Sequence, residues 1–342
     1  MRRAVVDLAA ARPAWRFGLE ETGAIRGAFG RGWDVVPVAA QANSDGDGGG
    51  GSAQAIAAVQ GAEVYFGWGV PRDVASSATG TLRWAHSASV GVGSSITPAF
   101  LATGAVLTNA RGIHAEPMAD WVIAAVGVCL RGFLPAIAAR AAGRWHKDAF
   151  TDGTVPVREI AGVRLGLVGL GGIGTAVARR AGVLGMEVRA VRRHPDKRRP
   201  RGVRWVGGSA QLPQLAATSD VLVVAAPSTA ATHALVNAAL LDRMPRGSFL
   251  INVARGSLVD ELAVVARLDQ GHLAGYVTDV AVREPPADDS PLWTHPGVLL
   301  TPHVSAVTPG FRARATALIV ENIGRYRSGR RLKNVVDLEA GY

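Results

Sequence analysis

One segment limits the choice of fold more than any other. Val163-Arg-Leu-Gly-Leu-Val168 is an apolar run of strand length, and Gly169-Leu-Gly171-Gly172-Ile173-Gly174 follows at once. Thr175 to Gly185 then has the apolar spacing of a helix. A strand turning on glycines straight into a helix leaves unpaired N–H groups at the helix start. Those groups and the helix dipole favour an anion. Gly169 makes the tight turn, Gly171 lets the backbone approach a pyrophosphate, and Gly174 lets helix lie on strand. GxGxxG alone says little in a chain with 42 glycines. Between a strand and a helix it predicts a parallel α/β sheet that takes a dinucleotide.

The next strand-like run, Glu187-Val-Arg-Ala-Val191, bears on which nicotinamide cofactor is used. An acid at its end suits the ribose 2′-OH of NAD, and an Arg suits the 2′-phosphate of NADP. Here the run leads into Arg192-Arg193-His194, with no carboxylate before Asp196. Arg192 lies eighteen residues past Gly174, where the acid is expected. NADP is therefore preferred over NAD, with Arg192 and Arg193 at the phosphate. The alternative is a solvated basic loop, as Lys197-Arg-Arg199 reads.

Farther on, Asn252-Val-Ala-Arg-Gly256, Asp279-Val-Ala-Val-Arg-Glu-Pro285 and Thr301-Pro-His303 supply a fixed cation, a carboxylate and an imidazole. Hydride transfer to a carbonyl beside a carboxylate needs that set. Arg255 would hold the anion and polarise the C=O, and His303 would protonate the forming alkoxide. Glu284 would orient the imidazole and stabilise its protonated form. The hydride itself must come from a cofactor. Arg255 follows a run that reads as buried, so its partner is expected to be either a substrate anion or an internal carboxylate such as Glu284.

These segments, with Leu107-Thr-Asn-Ala-Arg-Gly-Ile-His-Ala-Glu-Pro117, Met244 to Glu261 and Pro291-Leu-Trp293, resemble the D-isomer-specific 2-hydroxyacid dehydrogenase family from about Val64 to Asn334. The resemblance implies that Arg255, Glu284 and His303 are the catalytic trio. It implies that Gly171, Gly172, Ile173, Pro227, Thr232, Val253, Ala254, Arg255, Asp279 and His303 line the cofactor; Gly169 and Gly174 of the glycine turn, Arg192, Arg193 and Ser305 complete the expected cofactor-binding set. The turn Ser89-Val90-Gly91 is similar to a family loop whose amides take the substrate carboxylate, so Val90, Gly91 and Arg255 are the substrate-binding residues. A homodimer is implied as well. Two positions depart from the family pattern: Arg192 replaces the usual acid, and Gly93 stands where many members carry Asp.

A chain of 342 residues is long for one core, and alternating strand and helix patterns point to α/β layers. The expected fold is two Rossmann-like lobes, a doubly wound dinucleotide-binding domain and a flavodoxin-like substrate domain, with a cleft between them. The substrate domain is placed at 1–116 and 306–342, and the dinucleotide domain at 117–305. Strand-like runs include Arg3–Asp7, Trp33–Val38, Val64–Phe66, Val221–Ala225, Ser248–Asn252 and Val298–Thr301. A helix after Asp260 is expected to use Leu262, Val265 and Leu268 as its apolar face and to stop near Gly271. Asn43 to Ser52, rich in Gly, Ser and Asp, reads as a surface loop.

The net charge of +10 raises nucleic-acid binding, but the arginines are scattered and no aromatic-interleaved stripe accompanies them. The expectation is no nucleic acid, no membrane and a small anionic substrate. No His spacing suits a metal, so none is expected. Cys129 is the single cysteine and sits in an apolar pattern. A cytoplasmic enzyme fits. The same fold leaves open a phosphonate- or phosphite-type anion as substrate, and a non-catalytic NAD(H)-sensing corepressor-like protein.

Overall fold

The computed structural model describes residues 1–41 and 50–341, so most of the stretch expected as a glycine-rich loop lies outside the described residues. The chain divides into two compact units, residues 1–113 with those from 307 onward, and residues 114–306.

The first unit is built on five strands: β1 (Arg2–Asp7), β2 (Trp33–Pro37), β3 (Val64–Gly67), β4 (Trp84–Ser87) and β5 (Val106–Asn109). They pair in parallel in the order β2-β1-β3-β4-β5. Parallel neighbours need crossovers, which place helices on both faces and make the strands apolar throughout. The Leu19–Phe29 and Phe311–Arg327 helices cover one face, where Ile25, Phe29, Phe311, Ile319 and Ile323 are buried with Val6 and Phe66. The Ala53–Val59 and Arg72–Ser77 helices cover the other, over Val5, Tyr65 and Leu107. The return of the chain after residue 306 therefore supplies part of this core.

The second unit has seven parallel strands: β6 (Arg164–Val168), β7 (Glu187–Val191), β8 (Val203–Gly207), β9 (Val221–Val224), β10 (Ser248–Asn252), β11 (Leu273–Thr278) and β12 (Val298–Leu300). Their order is β12-β11-β10-β9-β6-β7-β8. The chain starts at β6, winds outward to β8, then returns to β9 on the other side of β6. That reversal is the place where open α/β sheets bind ligands, beyond the carboxyl ends of the strands. The Ala115–Leu130 and Gly172–Val183 helices bury Val122, Val126, Val177 and Ala181 on one face of the sheet. The Glu261–Asp269 helix buries Val264 and Leu268 on the other.

The helix after Asp260 forms and ends before Gly271; of its expected apolar face Leu268 is buried and Val265 half-buried, but Leu262 is not. Leu262 is 76% exposed, whereas Ala263 and Val264 are buried. Asp260 caps the first turn by accepting the Ala263 N–H at 3.0 Å. No single helix among the described residues is long and apolar enough to cross a membrane, and no cluster of His, Cys, Asp or Glu among them could hold a metal.

Candidate active site

The glycine turn does what its position after β6 requires. Gly169 has φ +102°, and a Cβ there would meet the Ala225 carbonyl at 2.7 Å, so the loops after β6 and β9 touch at the reversal point. A Cβ on Gly174 would lie 2.2 Å from the Gly169 carbonyl oxygen, which is why the helix can start so close to the strand. Gly171 differs: it caps the Gly172–Val183 helix, and a Cβ there would meet nothing within 4 Å. Open space before the first free amides of a helix fits a pyrophosphate. Ile173 packs partly against the core behind.

At the end of β7 stand Arg192 and the exposed Arg193. The Arg192 guanidinium turns into its own loop and donates to the carbonyls of Lys197 and Arg198. Its Nε is buried without a hydrogen-bond partner. Past β9, Thr232 closes a short loop by donating to the Pro227 carbonyl at 2.8 Å and accepting the Thr229 N–H at 2.8 Å.

β10 ends on Asn252, which is fully buried and spends its amide on the turn. Its Oδ1 accepts the Ala254 N–H at 3.0 Å and its Nδ2 donates to the Arg255 carbonyl at 3.0 Å. Val253 and Ala254 point their side chains into the core, so only their backbone can face a ligand. Arg255 is thrown outward and exposed. Its Nη1 donates to the Ala254 carbonyl at 2.7 Å, and among the described residues it forms no ion pair. Of the two partners expected for it, the internal carboxylate Glu284 is not the one found.

Glu284 and His303 come together. His303 Nδ1 lies 2.8 Å from Glu284 Oε2, in loops that follow adjacent strands β11 and β12. The other Glu284 oxygen accepts the Ala281 N–H at 3.2 Å. His303 has φ +55°, a conformation that a residue with a side chain rarely adopts. It is held there by Asp279, a carboxylate only 1% exposed. Asp279 Oδ1 accepts the Thr301 hydroxyl at 2.6 Å and the Val304 N–H at 2.8 Å, and Oδ2 accepts the Ser305 N–H at 2.8 Å. The His303 N–H donates to the Asp279 carbonyl at 2.9 Å. Three donors aimed at the carboxylate offset the cost of burying it. Asp279 and Ser305 were expected at the cofactor; the bonds found here hold the histidine loop.

Val90 and Gly91 belong to the first unit, where both are exposed and the Val90 carbonyl accepts Asn109 Nδ2 at 2.8 Å. Trp293 is half exposed and donates through Nε1 to the Ala287 carbonyl at 3.0 Å. Sequence reasoning passed over Glu261, whose Oε1 accepts the Val282 N–H at 2.7 Å in the loop that carries Glu284. An acid in the first turn of a helix ordinarily complements the dipole, so no sequence signal singled it out.

Residues 123–305 match the model of the D-isomer specific 2-hydroxyacid dehydrogenase, NAD binding domain. Glyoxylate reductase of Korarchaeum cryptofilum is 32% identical over 69% of this chain and 70% of its own length. D-3-phosphoglycerate dehydrogenase 2, chloroplastic, of Arabidopsis thaliana is 34% identical, but the chain spans only 37% of its length. Among solved structures, a D-isomer specific 2-hydroxyacid dehydrogenase from Xanthobacter autotrophicus Py2, in complex with NADPH and MES, superposes with a TM-score of 0.80 at 31% identity over 99% of both chains. An NADPH-dependent glyoxylate/hydroxypyruvate reductase from Sinorhizobium meliloti, with NADP and sulfate, gives 0.77 at 28% identity over the whole of both chains. The open glycine cradle fits the nicotinamide dinucleotide that this domain takes, and the chain belongs to the D-isomer specific 2-hydroxyacid dehydrogenase family.

Proposed function

We propose that this chain reduces a small 2-oxo acid to the D-2-hydroxy acid with NADPH. The observation that carries the proposal is the 2.8 Å bond between His303 Nδ1 and Glu284 Oε2, with the exposed Arg255 at the neighbouring strand end. When bound, the cofactor supplies the hydride. Arg255 grips the substrate carboxylate and polarises the carbonyl. With Nδ1 taken by Glu284, Nε2 of His303 is the nitrogen that gives its proton to the alkoxide. Glu284 keeps the ring oriented and stabilises the imidazolium before that transfer. Hydride to carbon and proton to oxygen complete the alcohol.

NADPH is preferred in this reading because Arg192 stands where an acid would bind the ribose of NADH. The two solved relatives described with NADPH or NADP support it. The first unit is proposed as the substrate domain, with Val90 and Gly91 among its binding residues. A homodimer belongs to the same proposal. Phe133, Ile137 and the 93% exposed Trp145 offer it apolar surface, and light scattering should give twice the 35.5 kDa chain mass.

A panel of 2-oxo acids (glyoxylate, hydroxypyruvate, pyruvate, branched, aromatic and phosphono acids) tests the reading with each cofactor. NADPH oxidation with at least one member is expected, and chiral analysis should find the D product. Tight NADPH binding with no turnover on any member would replace it by a dinucleotide-sensing role.

A further inference from the structure

The peptide between Ala281 and Val282, with the amide just before it, is gripped from several directions. The Ala281 N–H goes to Glu284 Oε1 at 3.2 Å, and the Val282 N–H goes to Glu261 Oε1 at 2.7 Å. Gly256, next to Arg255, lies flat against the same peptide. A Cβ there would fall 2.0 Å from the Ala281 carbonyl carbon and 2.2 Å from the Val282 nitrogen. Arg255 and Glu261 are joined by the short turn Gly256–Leu258 and the start of the Glu261–Asp269 helix. One stretch of chain thus presents Arg255 and clamps the loop that carries Glu284.

Glu261 is not acting as the cap of its helix. Asp260 fills that role by accepting the Ala263 N–H. Glu261 is half-buried, and burial, with the nearby Glu284 charge, lifts its carboxyl above the usual range. A first-turn acid that only served the dipole would stand in solvent. This one is bonded to another loop, close to a second acid.

We infer that Glu261 is a positioning residue: it fixes the Ala281–Val282 peptide and thereby the placement of the Glu284–His303 pair relative to Arg255. The inference rests on the oxo-acid reductase reading above. A shift of about 1 Å in such a pair can change rates by about 10²-fold, and loss of the carboxylate frees one end of the clamp.

The test uses full-length Glu261→Ala and Glu261→Gln, since Gln keeps a side-chain oxygen for the Val282 N–H. Glu261→Ala is expected to lower kcat by about 10–100-fold with the KM for NADPH unchanged, and Glu261→Gln to recover most of that loss. The His303 Nδ1 proton, read by NMR, should be seen in the parent and in Glu261→Gln and be lost or shifted in Glu261→Ala. Equal kcat and an unchanged Nδ1 proton in Glu261→Ala overturn the inference, as does a Gln variant no better than Ala. A parent chain without oxo-acid turnover would instead count against the catalytic reading, and the Nδ1 signal would still decide for or against Glu261.

Discussion

The Asp279 carboxylate reaches across from the end of β11 to accept the Ser305 N–H at 2.8 Å, so the loop on either side of His303 is tied to one buried acid. The unusual φ of His303 survives because that acid also takes the Val304 N–H and the Thr301 hydroxyl. Holding a non-glycine residue in this region costs about 1–3 kcal/mol, and the three bonds offset it.

Asp279→Asn should release that loop. The amide has one acceptor where the carboxylate has two, so at least one backbone donor loses its partner, at about 1–3 kcal/mol. A lowered Tm together with a fall in kcat is expected, read by calorimetry and steady-state kinetics. An unchanged Tm would mean that the loop is held by other means.

His303→Ala removes the proposed proton donor while leaving the glycine cradle alone. General acid catalysis contributes about 10²–10⁴-fold, so kcat should drop by that factor while NADPH binding, followed by its fluorescence, stays as in the parent. A rate within a factor of two of the parent would take His303 out of the mechanism.

Arg192→Asp tests the cofactor preference. The substitution puts a carboxylate at the end of β7 and removes the cation tied to the Lys197 and Arg198 carbonyls. The ratio of kcat/KM for NADPH over NADH should fall by at least about tenfold, the equivalent of one charge-assisted hydrogen bond of roughly 1.4 kcal/mol. A constant ratio would assign Arg192 to loop structure alone.

His86 gives the first unit a pH dependence. It is fully buried, its Nδ1 meets the Thr108 hydroxyl at 2.9 Å, and burial pushes its pKa down to about 3 from an ordinary 6.5. Between these values the unfolded chain binds the extra proton, so stability rises with pH through that window and is lost as pH falls toward 3. From pH 7.5 to 5 the loss from this residue should be about 2 kcal/mol. Asp7 opposes it: burial raises its carboxyl, so its contribution falls as pH rises above the usual carboxylate range. Urea midpoints against pH for the parent and Asp7→Asn separate the two. One histidine of eight should show no imidazole shift by NMR between pH 8 and 4.5; titration of all eight would refute the assignment.

How far the fold was legible follows from what single strands can show. Runs such as Val221–Ala225 and Ser248–Asn252 are apolar from end to end and announce themselves. β4 and β5 do not, because they carry His86 and Thr108, polar residues that stay buried by satisfying each other across paired strands. That pairing exists only after folding brings the strands side by side. The Glu284–His303 pair was legible as a motif, since His303 follows Pro302 at a predicted strand end and Glu284 precedes Pro285. Of the two partners open to Arg255, a substrate anion or an internal acid, the internal acid was not found: Asn252 ties the turn that follows β10, and Arg255 is exposed beyond it. Glu261 went unseen for a similar reason: its partner is a backbone amide, and a sequence does not show where amides will lie.

The Phe311–Arg327 helix places Phe311, Ala315, Ile319 and Ile323 in the core of the unit that holds the first strands. During synthesis, residues 114–306 have their whole sheet available before this helix leaves the ribosome, while β1 to β5 must wait with one face covered only in part, by the Leu19–Phe29 helix. Nascent chains halted before Phe311 should therefore be the ones that chaperones hold.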